Sequence, residues 1–168
     1  MKISLITVTY NSSKFLEDCI KSVIMQDYDK VEYIVIDGGS TDGTLEIIEK
    51  YKANIAKFIS EKDDGMYDAI NKGMSVATGD IIGILNSDDI LASSDVLTAI
   101  AAAFQQNNVD SIYGDLAYVE QEDTQKIHRF WRGHSYKRSR FNFGWMPAHP
   151  TFYVKKSIVD ELGGYVTH

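Results

Sequence analysis

Three short runs of β-branched and aliphatic residues, each breaking off into a polar turn, constrain this chain more than any other feature. They are Ile3–Tyr10 (ISLITVTY), Val31–Ile36 (VEYIVI) and Ile81–Leu85 (IIGIL). Runs of this length and make-up read as buried strands. Helical patterns separate them. Lys14–Gln26 places Phe15, Leu16, Cys19, Ile20, Val23 and Ile24 on one face. Thr44–Tyr51 turns Leu45, Ile48 and Tyr51 inward, with Asp42 as an N-cap. A short strand over Ala56–Ser60 precedes a helix over Gly65–Ala77, which carries Met66, Ile70 and Met74 at helical spacing. A further helix runs from a cap at Ser93 or Ser94 to about Gln106. Strand and helix in alternation predict one α/β domain with a mostly parallel central sheet.

The pattern changes after this. Ser111–Val119 and Gln125–Trp131 read as two strands around an acidic turn, which predicts an antiparallel ribbon. A basic, aromatic loop follows, then a strand over His149–Val154 and a short helix over Ser157–Leu162. No repeat or low-complexity linker divides the 168 residues, so a single domain spanning 1–168 is expected.

Apolar residues make up 44% and charged residues 24%, the composition of a globular protein. The formal net charge of −7 argues against broad capture of nucleic acid, and no nucleic-acid partner is expected. The acidity is uneven. Lys126, Arg129, Arg132, Lys137, Arg138 and Arg140, with His128 and His134, form a strip without an acidic residue. Such a strip suits a solvated surface, or equally a patch for phosphates or anionic headgroups. The single Cys19 forms no internal disulfide and falls on an apolar helix face, as a small core residue would. No signal-peptide pattern opens the chain and no apolar run nears the roughly 20 residues that span a bilayer, so a cytoplasmic location is expected.

The informative residues are carboxylates at strand ends. Asp37 closes the second apolar run, and Asn86-Ser87-Asp88-Asp89 closes a later one. In an open parallel sheet, ligands bind beyond the carboxyl ends of the strands. Adjacent Asp88 and Asp89 repel each other unless a cation intervenes, and hard divalent ions take oxygen ligands. Mg²⁺ or Mn²⁺ there would bridge to substrate phosphates and neutralise a phosphate leaving group. A plain Asx-type turn is the competing reading. Other signatures are absent: G-x-G-x-x-G, the P-loop, a zinc-spaced Cys/His cluster and G-x-S-x-G.

Four segments follow one another in order: Thr7-Val8-Thr9-Tyr10-Asn11, then Val35 to Thr44 (VIDGGSTDGT), then Asp64 to Gly73 (DGMYDAINKG) leading to Ala77-Thr78-Gly79-Asp80, and Leu85-Asn86-Ser87-Asp88-Asp89. As an ordered set they resemble the family 2 glycosyltransferases of the GT-A fold. The match is close over 1–120 and looser at His149-Pro150-Thr151-Phe152 and Gly163-Gly164-Tyr165. The resemblance implies a nucleotide-sugar-binding part over 1–120 and the start of an acceptor-side part over 121–168. It implies that Thr7, Tyr10 and Asn11 belong to the nucleotide pocket. Asp37 would accept the imino hydrogen of a uridine- or thymidine-type base. Asp68, Asn71 and Lys72 would face the donor's sugar or diphosphate, although Asp68 and Lys72 at i, i+4 also fit a surface ion pair. Asp88 would lie near the ribose or the metal's water shell, and Asp89 would ligate Mn²⁺ or Mg²⁺.

The chemistry implied is inverting transfer from a nucleoside-diphosphate sugar, UDP-linked by preference, to a saccharide or lipid-linked acceptor. Segments such as Asp64-Gly65-Met66-Tyr67-Asp68 resemble bacterial members that assemble capsule, exopolysaccharide or O-antigen, which work at the inner face of the membrane. The resemblance puts the catalytic base beyond His168, with Asp115 and Glu120 as weak stand-ins. A base absent from the chain leaves a non-catalytic or truncated sugar-nucleotide-binding module as the alternative. A nucleotidyltransferase ranks lower, because Tyr10-Asn11-Ser12-Ser13 is no glycine-rich triphosphate loop.

Overall fold

The computed structural model describes every residue except Glu122, His134, Ser135 and His168. Strands β1 (Ile3–Thr9), β2 (Val31–Asp37), β3 (Lys57–Ser60) and β4 (Ile81–Ile84) run parallel in the order β3-β2-β1-β4. Helices α1 (Leu16–Ile24), α2 (Thr44–Lys50) and α3 (Met66–Val76) make the crossovers between them. Helix α4 (Val96–Gln106) then leads to β5 (Ser111–Tyr113). The α/β architecture with a largely parallel sheet is as the alternation of signals predicts.

Alternation along β1 and β2 builds two apolar layers. Ile3, Leu5, Tyr33 and Val35 pack with Leu16, Cys19 and Ile20 of α1 and with Leu97, Ala101 and Phe104 of α4. Ile6, Val8, Ile34 and Ile36 face the other way, onto Ala69, Ile70 and Met74 of α3. Both faces of the central strands are covered, which is why their sequences read as unbroken apolar runs.

Several expectations need correction; the helix caps expected at Asp42 and at Ser93 or Ser94 fall at Gly43 and Asp95. The segment 111–119 is two strands. Its first part, β5, pairs antiparallel with β8 (Phe152–Lys155), and only β6 (Leu116–Val119) forms the ribbon with β7 (Ile127–Trp131). The break falls at Gly114-Asp115, where the Asp115 carboxylate accepts the Gly133 N–H at 2.8 Å and turns the chain into the ribbon. The strand expected over 149–154 begins at Phe152. Pro150 has no N–H to give a ladder, and His149–Thr151 forms a 3₁₀ turn closed by Thr151 N–H to Ala148 O at 3.0 Å. Leu45, expected inward, is exposed, while Ile48 of the same helix is buried.

Strand β8 lies between β4 and β5 and is antiparallel to both. The main sheet therefore draws on residues either side of position 120. Gly83 of β4 makes this pairing possible: a Cβ there would lie 2.1 Å from the Tyr153 ring, which occupies the space a side chain would need. Helix α5 (Lys156–Leu162) follows β8 directly. No described helix is long and apolar enough to cross a membrane.

Candidate functional site

Three loops leave the carboxyl ends of β1, β2 and β4 side by side, and polar side chains tie them together. Asn11 sits in the left-handed region (φ 49°), a conformation asparagine tolerates better than most residues. Its backbone N–H donates to Ser40 Oγ at 2.8 Å, and its side-chain oxygen accepts the Thr41 N–H at 2.9 Å. Ser12 N–H donates to Thr44 Oγ1 at 2.8 Å, and the Ser12 and Ser87 hydroxyls meet at 2.9 Å. Asp42 accepts from Ser13 N–H and from both the N–H and hydroxyl of Thr44, and its carboxyl lies well below the ordinary range, chiefly through the Thr44 hydroxyl. The crevice floor is thus fixed before any ligand arrives.

The expected site residues divide into two groups. Asp37 is fully buried and accepts the N–H groups of Gly39 and Ser40 and the hydroxyls of Ser40 and Ser60. Its carboxylate holds the β2–α2 turn and ties it to β3. Thr7 is also fully buried, accepting the Tyr33 hydroxyl at 3.1 Å with Cys19 Sγ at 3.8 Å. On α3, Asp68 accepts the Asp64 N–H at 3.1 Å and pairs with Lys72 at 3.2 Å. Lys72 also donates to Lys62 O and pairs with Glu61, and Asn71 is bonded to Tyr165.

Tyr10, Asp88 and Asp89 form the second group, turned toward open space. The Tyr10 ring is 63% exposed beside Gly38. Asp88 is exposed and Asp89 half-buried. Burial pushes the Asp89 carboxyl up; the Asn86 amide, donating at 2.8 Å, opposes this, and the Asp88 charge adds to it. Asn86 Oδ1 is buried without a partner. Among the described residues no three His, Cys, Asp or Glu side chains cluster as a complete metal site. Two adjacent carboxylates and an orphaned amide oxygen nevertheless fit the donor set of Mg²⁺ or Mn²⁺, which completes its shell with water and phosphate.

Asn86, Asp88 and Asp89 line a cavity of about 260 Å³ whose opposite wall includes Tyr118, Trp131 and His149. Of these three, the sequence points to His149 through the loose His149-Pro150 match and to Trp131 only as an aromatic within the basic strip; nothing in it marks Tyr118. Burial lowers the His149 basicity, and its Nε2 lies 2.9 Å from the Tyr165 hydroxyl. Tyr165 in turn stacks on Tyr67, with ring centroids 5.1 Å apart. The larger cavity, about 370 Å³, lies between α3, β4, β8 and α5, is lined mainly by apolar side chains, and holds none of the expected site residues.

Neither stand-in base is idle. Asp115 accepts from Gly133, and Glu120 pairs with Lys126 at 3.4 Å and His128 at 3.4 Å. Of the basic strip, Arg129 lies over the Tyr118 and Trp131 rings, while Arg132, Lys137 and Arg138 are exposed. His134 lies outside the described residues.

A largely parallel sheet with knitted loops at its carboxyl edge, where open α/β sheets take their ligands, defines an α/β domain of GT-A type. Residues 4–163 match the family described as glycosyl transferase family 2, and the chain belongs to that family. It is 29% identical over 166 residues to a PGL/p-HBAD biosynthesis glycosyltransferase of Mycobacterium tuberculosis. It is 36% identical over 172 residues to a further, uncharacterised glycosyltransferase of that species. The chain spans 62% of the length of each and is itself covered to 96% and 97%. In fold it resembles Staphylococcus aureus TarS in complex with UDP-GlcNAc, with a TM-score of 0.74 at 22% identity over 96% of this chain and 47% of that one. The mannosyltransferase PcManGT of Pyrobaculum calidifontis, in complex with GDP-Man and Mn²⁺, gives a TM-score of 0.74 at 22% identity over 99% and 48%.

Proposed function

We propose that this chain binds the donor in an inverting glycosyl transfer from a nucleoside-diphosphate sugar, UDP-linked by preference, to a saccharide or lipid-linked acceptor. Cell-surface polysaccharide assembly is the setting this reading favours, with the protein in the cytoplasm at the inner face of the membrane. The observation that carries it is the Asp88-Asp89 pair after β4 and the exposed Tyr10 ring after β1, at the carboxyl edge of two neighbouring parallel strands, in a chain of this family.

Asp89 and Asp88 would hold Mn²⁺ or Mg²⁺, which supplies charge neutralisation for the departing diphosphate. Tyr10 offers an aromatic face to the base. Asn86 holds the Asp89 carboxylate through its amide at 2.8 Å, and would keep that carboxylate in place for the ion. Asn11, Asp37 and Asp42 hold the loops that carry these groups, which limits rearrangement on binding. His149 and Trp131 line the same cavity as the carboxylates and would meet an acceptor that enters it. The exposed Arg132, Lys137 and Arg138 support contact with an anionic membrane surface.

The test is a thermal-shift panel of nucleoside diphosphates with and without Mn²⁺, on wild type and Asp89→Ala. A ligand at about 100 times its dissociation constant adds roughly 2.7 kcal/mol. Metal-dependent stabilisation that is lost in the variant supports the donor site. No shift with any nucleotide removes it. Binding to vesicles of anionic phospholipid, unchanged in Lys137→Ala/Arg138→Ala, would remove the membrane contact.

A further inference from the structure

We propose that Asp63, held over Gly38 beside the Tyr10 ring, is the residue that reads the base, through the single imino N–H of uracil or thymine. This rests on the reading of the crevice as a donor site and assigns its selectivity to a residue outside the four resembling segments.

The geometry starts from Gly38. A Cβ at that position would lie 2.6 Å from Asp63 Oδ2 and 3.4 Å from Tyr10 Cδ2. The missing side chain therefore leaves a gap that a carboxylate from the β3–α3 loop fills, next to the exposed aromatic face. Asp63 is half-buried, and its Oδ1 accepts the Gly65 N–H at 3.0 Å. That bond fixes the rotamer and leaves Oδ2 as the oxygen turned toward Gly38 and Tyr10. Asp37, the other carboxylate near this point, is fully buried and already accepts four hydrogen bonds from its own turn and from Ser60. A base reaching Asp37 would have to displace that turn; a base stacked on Tyr10 meets Asp63 first.

The chemistry of the bases then selects. A carboxylate oxygen accepts and never donates, so it suits a ring N–H and opposes a bare ring nitrogen. Uracil and thymine present one imino N–H between two carbonyls. Cytosine presents an unprotonated ring nitrogen at the same place, which would face the carboxylate lone pairs and lose its water without compensation. Guanine presents two adjacent donors that need both oxygens of a carboxylate along its edge, but the Gly65 N–H holds Oδ1 toward its own loop. One available oxygen against one donor favours the uracil or thymine edge.

Calorimetric titration of the whole chain with UDP, CDP and GDP in the presence of Mn²⁺ tests this, on wild type, Asp63→Asn and Gly38→Ala. Wild type is expected to prefer UDP to CDP by at least about tenfold, the worth of one charge-assisted hydrogen bond. Asp63→Asn keeps an oxygen for Gly65 and offers an amide N–H to cytosine, so the preference should collapse or reverse. Gly38→Ala leaves every charge in place and pushes the carboxylate aside by its methyl, so the preference should fall in the same direction. A UDP preference unchanged in both variants, or tighter binding of GDP than of UDP by wild type, overturns the assignment while leaving the donor site standing. Wild type that binds no nucleotide overturns both.

Discussion

Asn71 and Tyr165 are joined by a reciprocal pair of hydrogen bonds: the Asn71 amide donates to Tyr165 O at 2.8 Å, and Tyr165 N–H donates to Asn71 Oδ1 at 2.8 Å. This pair pins the end of the described chain to α3 and sets the Tyr165 ring between Tyr67 and His149. Asn71→Ala should cost about 1–3 kcal/mol, because two backbone groups lose their partner. Urea denaturation followed by circular dichroism measures this. A variant as stable as wild type would mean that the clasp contributes nothing.

Glu32 governs part of the acid response. Burial alone would raise its carboxyl, but hydrogen bonds from the Ser4 and Thr78 hydroxyls, the Thr78 N–H and Lys2 bring it well below the ordinary range. A folded-state value below the unfolded one, about 4.3, stabilises the fold above that pH, and the contribution fades as pH falls toward the lower value. Stability measured between pH 7 and pH 2 should therefore drop more steeply in wild type than in Glu32→Gln below about pH 4.3. Parallel curves would show that other carboxylates dominate.

Asp89 works in the opposite sense. Its carboxyl is pushed up, chiefly by burial, so its charged form is held at a cost to the fold above its folded-state value. Asp89→Asn keeps an oxygen for the Asn86 amide and removes the charge. Without metal, the variant should melt at the same or a higher temperature than wild type at pH 7, while losing any stabilisation by Mn²⁺ with nucleotide. A lower melting temperature without metal would show that the ionised side chain has a structural task.

Gly83→Ala should destabilise by about 1–3 kcal/mol or more, since its Cβ has no room beside the Tyr153 ring. Combining it with Tyr153→Leu should recover part of the loss. Additive losses in the double variant would place the strain elsewhere.

The Cys19 thiol is buried and, mainly for that reason, its pKa is pushed up to about 12. It should react with a soluble disulfide reagent only when the chain unfolds. Stoichiometric labelling of the folded protein within minutes would contradict the packing of α1 on β1.

The parts of the fold legible in the sequence are those whose physics is local. Ile3–Thr9 and Val31–Asp37 are covered on both faces and so carry an unbroken apolar signature. The helices between them carry a 3.6-residue stripe. Phe152–Lys155 could be recognised as a strand to within a few residues, yet its seat between β4 and β5 could not. That pairing depends on a cavity over Gly83 that only the folded sheet creates. The Asp88-Asp89 turn was visible because it ends an apolar run. Asp63 was not, since its approach to Gly38 crosses from one loop to another. Likewise, nothing in the spacing of Asp37 tells that its carboxylate is buried and accepts four hydrogen bonds from its own turn and from Ser60.

The position of β8 also governs the order in which the sheet can be completed. β5 hydrogen-bonds to no described strand other than β8, and β8 follows it in the chain by some 40 residues, with the ribbon between them. A chain made from its N-terminus can assemble β3-β2-β1-β4 while β5 still waits with its edge open. Closing that gap carries the loop entropy of the whole ribbon excursion. The carboxylate pair leaves from β4, the strand that β8 completes, and the wall that faces it is built by the excursion and by the turn entering β8. The crevice acquires its second side only when β8 is in place, so the edge that carries the carboxylate pair is assembled from segments far apart in the chain.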